Sequence, residues 1–188
     1  PNIPMKSTYL YLSLALLTLT LLTSCGPDAN KPTPQPTPEV AHNVSLVNKL
    51  DGKKYPSGKT IDYVASTSKS ELPPIGYGPE LFFSVLKTAK YTVSLKFEEP
   101  ISGAICFGDS CLPIDNRADY TTTIDLIADG EESTTLLKKK NELTSLGVHF
   151  KLPTPVGETY KNRLTIQLKP ADGGETLSWT VNLAIAVK

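Results

Sequence analysis

From Leu177 to Val187 every second residue is large and apolar: Leu177, Trp179, Val181, Leu183, Ile185 and Val187 alternate with Ser, Thr, Asn and Ala. A helix carries neighbouring side chains about 100° apart, so it would scatter these six around its axis. An extended strand sends successive side chains to opposite faces and would gather them on one. The same period recurs in Tyr91 to Phe97, where Tyr91, Val93, Leu95 and Phe97 oppose Thr92, Ser94 and Lys96. It recurs in Arg163 to Lys169 with Leu164, Ile166 and Leu168, and again in Leu146, Val148, Phe150 and Leu152. Weaker strand candidates are His42 to Leu50, Thr60 to Val64, Glu80 to Leu86, Gly103 to Phe107 and Tyr120 to Ile127. Turn pairs punctuate them at Asp51-Gly52, Pro73-Pro74, Asp129-Gly130 and Asp172-Gly173-Gly174. Many short strands, each apolar on one face, predict an all-β body: an immunoglobulin-like β-sandwich over residues 40–188. A single helical turn could fit in Glu131 to Glu142, where Leu136 and Leu137 precede three lysines.

The chain ahead of this body has a different character. Met5 and Lys6 lead into Tyr9 to Leu22, an apolar run of about 14 residues interrupted only by Ser13, Thr18 and Thr20. A positive charge followed by a short apolar stretch and small residues has the form of a secretory signal. It is short for a membrane span, which needs about 20 residues. Residues 1–24 are therefore expected to be a signal peptide, with residues 1–4 upstream of the true start. Its end, Leu22-Thr23-Ser24-Cys25, resembles the lipobox of bacterial lipoproteins. That resemblance implies cleavage before Cys25, diacylglycerol on its sulfur and a third chain, such as palmitate, on its amine. At about 0.8 kcal/mol per buried methylene, such chains would hold the protein at a membrane. The implied address is that of an outer-membrane lipoprotein, periplasmic or surface-facing, and the lone Asp28 beside Cys25 leaves the leaflet open. Residues 25–39 hold four prolines between Pro32 and Pro38, which lack the amide donor and favour an extended spacer.

With Cys25 assigned to lipid, Cys106 and Cys111 remain, in "AICFGDSCLP". An exported protein meets an oxidising compartment. Gly108 and Asp109 allow the chain to double back, so a disulfide is the default expectation. The pair lacks the C-x-x-C spacing of a redox dithiol. "SGAICFGDSC", followed by "IDLIADGE" and "HFKLP", resembles small extracytoplasmic β-sandwich modules of Bacteroidetes. The likeness implies an exported, Ig-like, disulfide-bearing module whose role is often unassigned, and it carries over no catalytic residues.

Two segments are candidate binding loops. "LPIDNRADYTTT" and the cysteine turn bring Asp109, Asp115, Asn116 and Asp119 close in sequence, and oxygen-rich loops can hold calcium. Asp and Asn are equally ordinary turn residues, and the spacing is not that of an EF-hand. Ala65 to Glu80 is long for a connection, and Tyr77 between two glycines could offer its ring to a sugar or a partner. Chemistry is harder to find. The chain has no G-x-S-x-G, no H-E-x-x-H and no phosphate loop, and only His42 and His149 could serve as imidazole ligands. His149 lies out of phase with Leu146 and Val148 and should face solvent. Glu98-Glu99 and Glu131-Glu132 read as exposed carboxylates at strand ends. No cofactor, metal or enzymatic activity is expected. Nineteen basic residues balance nineteen acidic ones, which removes the electrostatic case for nucleic acid. Two readings remain: a tethered module that binds a protein partner or glycan, and a structural subunit of a cell-envelope or pilus-like assembly.

Overall fold

A computed structural model of the chain describes residues 43–67, 77–136, 138–152 and 155–188. Among these residues it contains nine strands and no helix. They are β1 (Val44–Asn48), β2 (Lys54–Tyr55), β3 (Thr60–Thr67), β4 (Glu80–Val85), β5 (Ala89–Phe107), β6 (Ser110–Leu126), β7 (Thr144–Phe150), β8 (Thr159–Pro170) and β9 (Leu177–Val187). The hydrogen-bonded order is β2-β1-β4-β7-β5-β8-β9-β3, with β6 running along β5. Among the described residues of Glu131 to Glu142, where a helical turn could fit, none forms, and Ser133 and Lys138 pair across an antiparallel bridge. The buried Lys138 sends its ammonium to the carbonyls of Ala128 (3.2 Å) and Glu131 (2.5 Å), which ties this loop to itself.

The apolar alternation appears as burial. Along β9, buried and partly exposed residues alternate without a break, and Trp179 is 1 % exposed. Its indole N–H donates to Tyr55 O at 2.8 Å, which holds β2 against the end of the core. β3 pairs with β9 in parallel, Ile61 opposite Val181 and Tyr63 opposite Leu183. A parallel neighbour cannot come from a hairpin, so this pairing joins opposite ends of the body.

Gly103 to Phe107 is not a separate strand. It continues Tyr91–Phe97 as the single strand β5, whose first half pairs with β8 (Val93 opposite Leu168) and whose second half pairs with β7 (Ile105 opposite Val148). The register shifts between Lys96 and Ile101 and again before Gly103, the mark of bulges that bend a strand. Two arms therefore share β5 and β6. Leu46, Phe83, Leu146 and Ile105 from one arm join Ile61, Leu164, Ile166 and Trp179 from the other in one buried cluster. The result is an all-β, sandwich-like sheet folded on itself.

At the bend, β5 has left β8 and not yet reached β7. Asn162 fills the gap. Its Oδ1 accepts the Glu99 N–H (3.1 Å) and its Nδ2 donates to Glu99 O (3.0 Å) and to the Tyr160 hydroxyl (2.7 Å). The carboxamide meets both halves of the Glu99 backbone as a neighbouring strand's peptide would. Glu98 and Glu99 are exposed, as expected, but they lie within β5 rather than at its end.

Candidate interaction edge

The segment read as an oxygen-rich loop is a strand. β6 runs from Ser110 to Leu126, with Leu112 opposite Ile105, Thr122 opposite Val93 and Ile124 opposite Tyr91. Thr121-Thr122-Thr123-Ile124 is a β-branched run suited to a pleated surface. Pro113, Asp115, Asn116 and Arg117 suit a turn by local chemistry, and long-range pairing with β5 overrides them. The local preferences surface as a bulge: Asn116 has a left-handed φ of 46°. Its N–H donates to Ser102 Oγ (2.8 Å), which in turn donates to Asp115 Oδ1 (2.9 Å).

The strand also separates the acidic side chains that a loop would have gathered. Asp115 is held by Ser102, Asp119 faces Arg117 Nη2 at 3.4 Å, and Asp109 sits in the exposed hairpin turn. Among the described residues no group of three or more His, Cys, Asp or Glu is gathered as metal ligands. The turn itself is tight. Gly108 has φ 58°, and a Cβ there would lie 2.2 Å from Leu136 O, so only glycine fits. Directly beyond it Cys106 and Cys111 oppose one another across the β5–β6 ladder and are joined as a disulfide, with Cα atoms 4.0 Å apart.

Tyr77 does not present its ring to solvent. It is half-buried and packs against the core beside Tyr63. Burial, with the neighbouring Tyr77 second, raises the Tyr63 pKa from 10.0 to about 12. Strand β3 extends to Thr67, and the stretch from there to residue 76 lies outside the described residues, as does Cys25. His149 faces away from the core but is half-covered: a Cβ on Gly147 would lie 2.8 Å from its Nε2, so the imidazole lies across the glycine.

Several clefts lie elsewhere, and two of them border perturbed tyrosines. One, of about 480 Å³, opens at the β5 bend between Ile101, Leu152 and Tyr160. The other, of about 250 Å³, lies at one end of the body among Lys87, Tyr91, Asp172 and Glu175. Burial, with Asp172 second, raises the Tyr91 pKa. Neither brings a nucleophile and a base together.

The long open edge is the most distinctive surface. The Ala171 N–H donates to Lys90 O (2.9 Å), so the even-numbered peptides of this half of β5 face β8 and the odd ones face β6. Tyr91, Val93 and Leu95 thus engage Ile124, Thr122 and Tyr120. By the same alternation the peptides of Asp119, Thr121, Thr123 and Asp125 point away from the sheet. Among the described residues no strand pairs with that side. Pro113, whose missing N–H would point the same way, blunts only the first half of the edge. Sequence reasoning placed Thr121–Thr123 in a strand but could not show which side would stay open.

No protein-family description and no curated protein matches the chain. Among solved structures the chain is similar to the CooA pilin subunit from enterotoxigenic Escherichia coli, at 14% identity and a TM-score of 0.41, over 78% of this chain and 99% of that one.

Proposed function

We propose that this protein is a lipid-anchored, extracytoplasmic contact module that engages a protein partner by adding a strand to the open edge of β6. The body on this reading is an immunoglobulin-like sandwich carried on a proline-rich spacer, and it performs no catalysis. The observation that carries the reading is the row of outward peptides at Asp119, Thr121, Thr123 and Asp125. Unpaired N–H and C=O groups at 4.8 Å strand spacing match another polypeptide strand, the mode called β-augmentation. A glycan offers no repeating peptide groups to complete that ladder. The Leu22–Cys25 motif supports the anchor, and the prolines of residues 32–38 support the spacer. No helix of the described residues is long and apolar enough to cross a membrane.

Substitution Thr123→Pro tests the edge. It deletes one outward N–H and leaves the β5 ladder intact, so the protein should stay folded, because edge strands tolerate proline on their open side. Partner crosslinking in intact cells should be lost. Thr122→Pro, one residue away, removes a bond to β5 and should destabilise the fold. Undiminished crosslinking by a folded Thr123→Pro protein would sink the proposal, and an unacylated Cys25 in native material would sink the anchor.

A further inference from the structure

The arm containing β6 has a second open flank. β3 pairs only with β9 among the described residues. The Thr180 N–H donates to Lys59 O and the Lys188 N–H to Thr67 O, so the odd-numbered peptides of β3 face β9. Those of Thr60, Asp62, Val64 and Ser66 therefore face outward. Across this arm β6 is antiparallel to β5, β5 to β8 and β8 to β9, while β9 is parallel to β3. Strand β6 thus runs opposite to β3. A second copy of the chain, translated along the sheet, would present its β6 antiparallel to the first copy's β3.

We propose that copies of this chain join head to tail, the open β6 edge of one copy extending the sheet at the open β3 edge of the next. This deepens the β6-edge reading and rests on it. The register follows from side-chain chemistry. Pairing Thr60, Asp62, Val64 and Ser66 with Asp125, Thr123, Thr121 and Asp119 of the next copy matches outward peptides with outward peptides. A shift of two residues one way sets Asp62 against Asp125, and the opposite shift sets Val64 against Asp119. Like charges directly across a ladder destabilise it. In the favoured register Asp125 faces Thr60 and Asp119 faces Ser66, so neither carboxylate lies directly across from another. Val64, 70% exposed, meets the methyl of Thr121. On the inner face the partly buried Ile124 and Tyr120 reach Ile61 and Ala65. The two edges differ, so the contact is heterologous, and repeated translation builds an open row rather than a closed pair.

Cysteine trapping in the full, membrane-borne chain tests this. Cross-strand hydrogen-bonded partners have Cα atoms about 5.5 Å apart, within disulfide reach. Chains carrying Val64→Cys and Thr121→Cys, expressed together and mildly oxidised, should form a mixed dimer. The unsubstituted chain and either variant alone should not. One chain carrying both substitutions should give a ladder of multimers. A Lys169→Cys control on the same face, away from either edge, should not join Val64→Cys. Equal trapping at Lys169 or self-joining of Thr121→Cys would overturn the head-to-tail contact. If no ladder forms while Thr123→Pro still abolishes crosslinking to another protein, the second copy is excluded and the β6 edge keeps its role. If Thr123→Pro changes neither, the edge reading itself falls.

Discussion

Replacing Asn162 by alanine should destabilise the protein by about 2 kcal/mol, and the reason lies at the bend of β5. The carboxamide takes part in four hydrogen bonds, with Glu99 N (3.1 Å), Glu99 O (3.0 Å), the Tyr160 hydroxyl (2.7 Å) and Arg163 N (2.8 Å). Intact bonds of this kind contribute about 0.5–1.5 kcal/mol each, and an abandoned buried group costs about 1–3 kcal/mol. Glu99 is exposed, so water can replace part of what its backbone loses. The Tyr160 ring is 9% exposed and its hydroxyl is served less well. Weighting the two Glu99 bonds at the low end and the Tyr160 bond near the middle gives about 2 kcal/mol. For a body of this size that is about 4–8 °C in melting temperature. Amide exchange should localise the effect, with Glu99 losing protection and the β8–β9 ladder keeping it. A second readout is electrostatic. Burial raises the Tyr160 pKa and the Asn162 hydrogen bond lowers it, so the variant should titrate at still higher pH. An Asn162→Ala protein that melts with the parent and leaves Glu99 exchange unchanged would refute the idea that this side chain stands in for a strand.

Trp179→Ala should cost about 3–5 kcal/mol, seen in denaturant unfolding, because it empties a fully packed site and frees Tyr55 O. Trp179→Phe should lose less, since most of the packing remains. Tyr63 makes the fold sensitive to base. Its folded pKa of about 12 exceeds the unfolded value of 10.0, so its contribution is complete below pH 10 and drains away as pH rises toward 12. Tyrosinate absorbance should show this ring ionising only with unfolding, and a Tyr63→Phe protein should resist that pH range better. Replacing Cys106 and Cys111 together by serine should cost no more than about 2 kcal/mol, because their sequence separation is only 5 and little loop entropy is restored. A larger loss in thermal melts would mean the bridge shapes more than its own hairpin.

Alternation of apolar residues made much of the architecture legible. β9 and β8 bury the residues that their period of two selects, and Trp179 lies in the core for that reason alone. Face is a local property, fixed by the geometry of one extended chain, and so can be read from a single segment. Asp115, Asn116 and Asp119 were misplaced because their local chemistry favours turns, and only pairing to a distant β5 makes them strand residues. Tyr77 was misplaced for a related reason: glycines on either side say nothing about Tyr63, which approaches from another strand and holds the half-buried ring against the core.

Periodicity thus determined that this chain forms sheets and which side of each strand turns inward. Which strands became neighbours was decided by the tertiary fold. The splitting of β5 between two partners, the parallel seating of β3 on β9 and the open flank of β6 all depend on hydrogen bonds between residues far apart in sequence. Backbone donors and acceptors are the same at every position, so no residue type records which of them will be left unpaired.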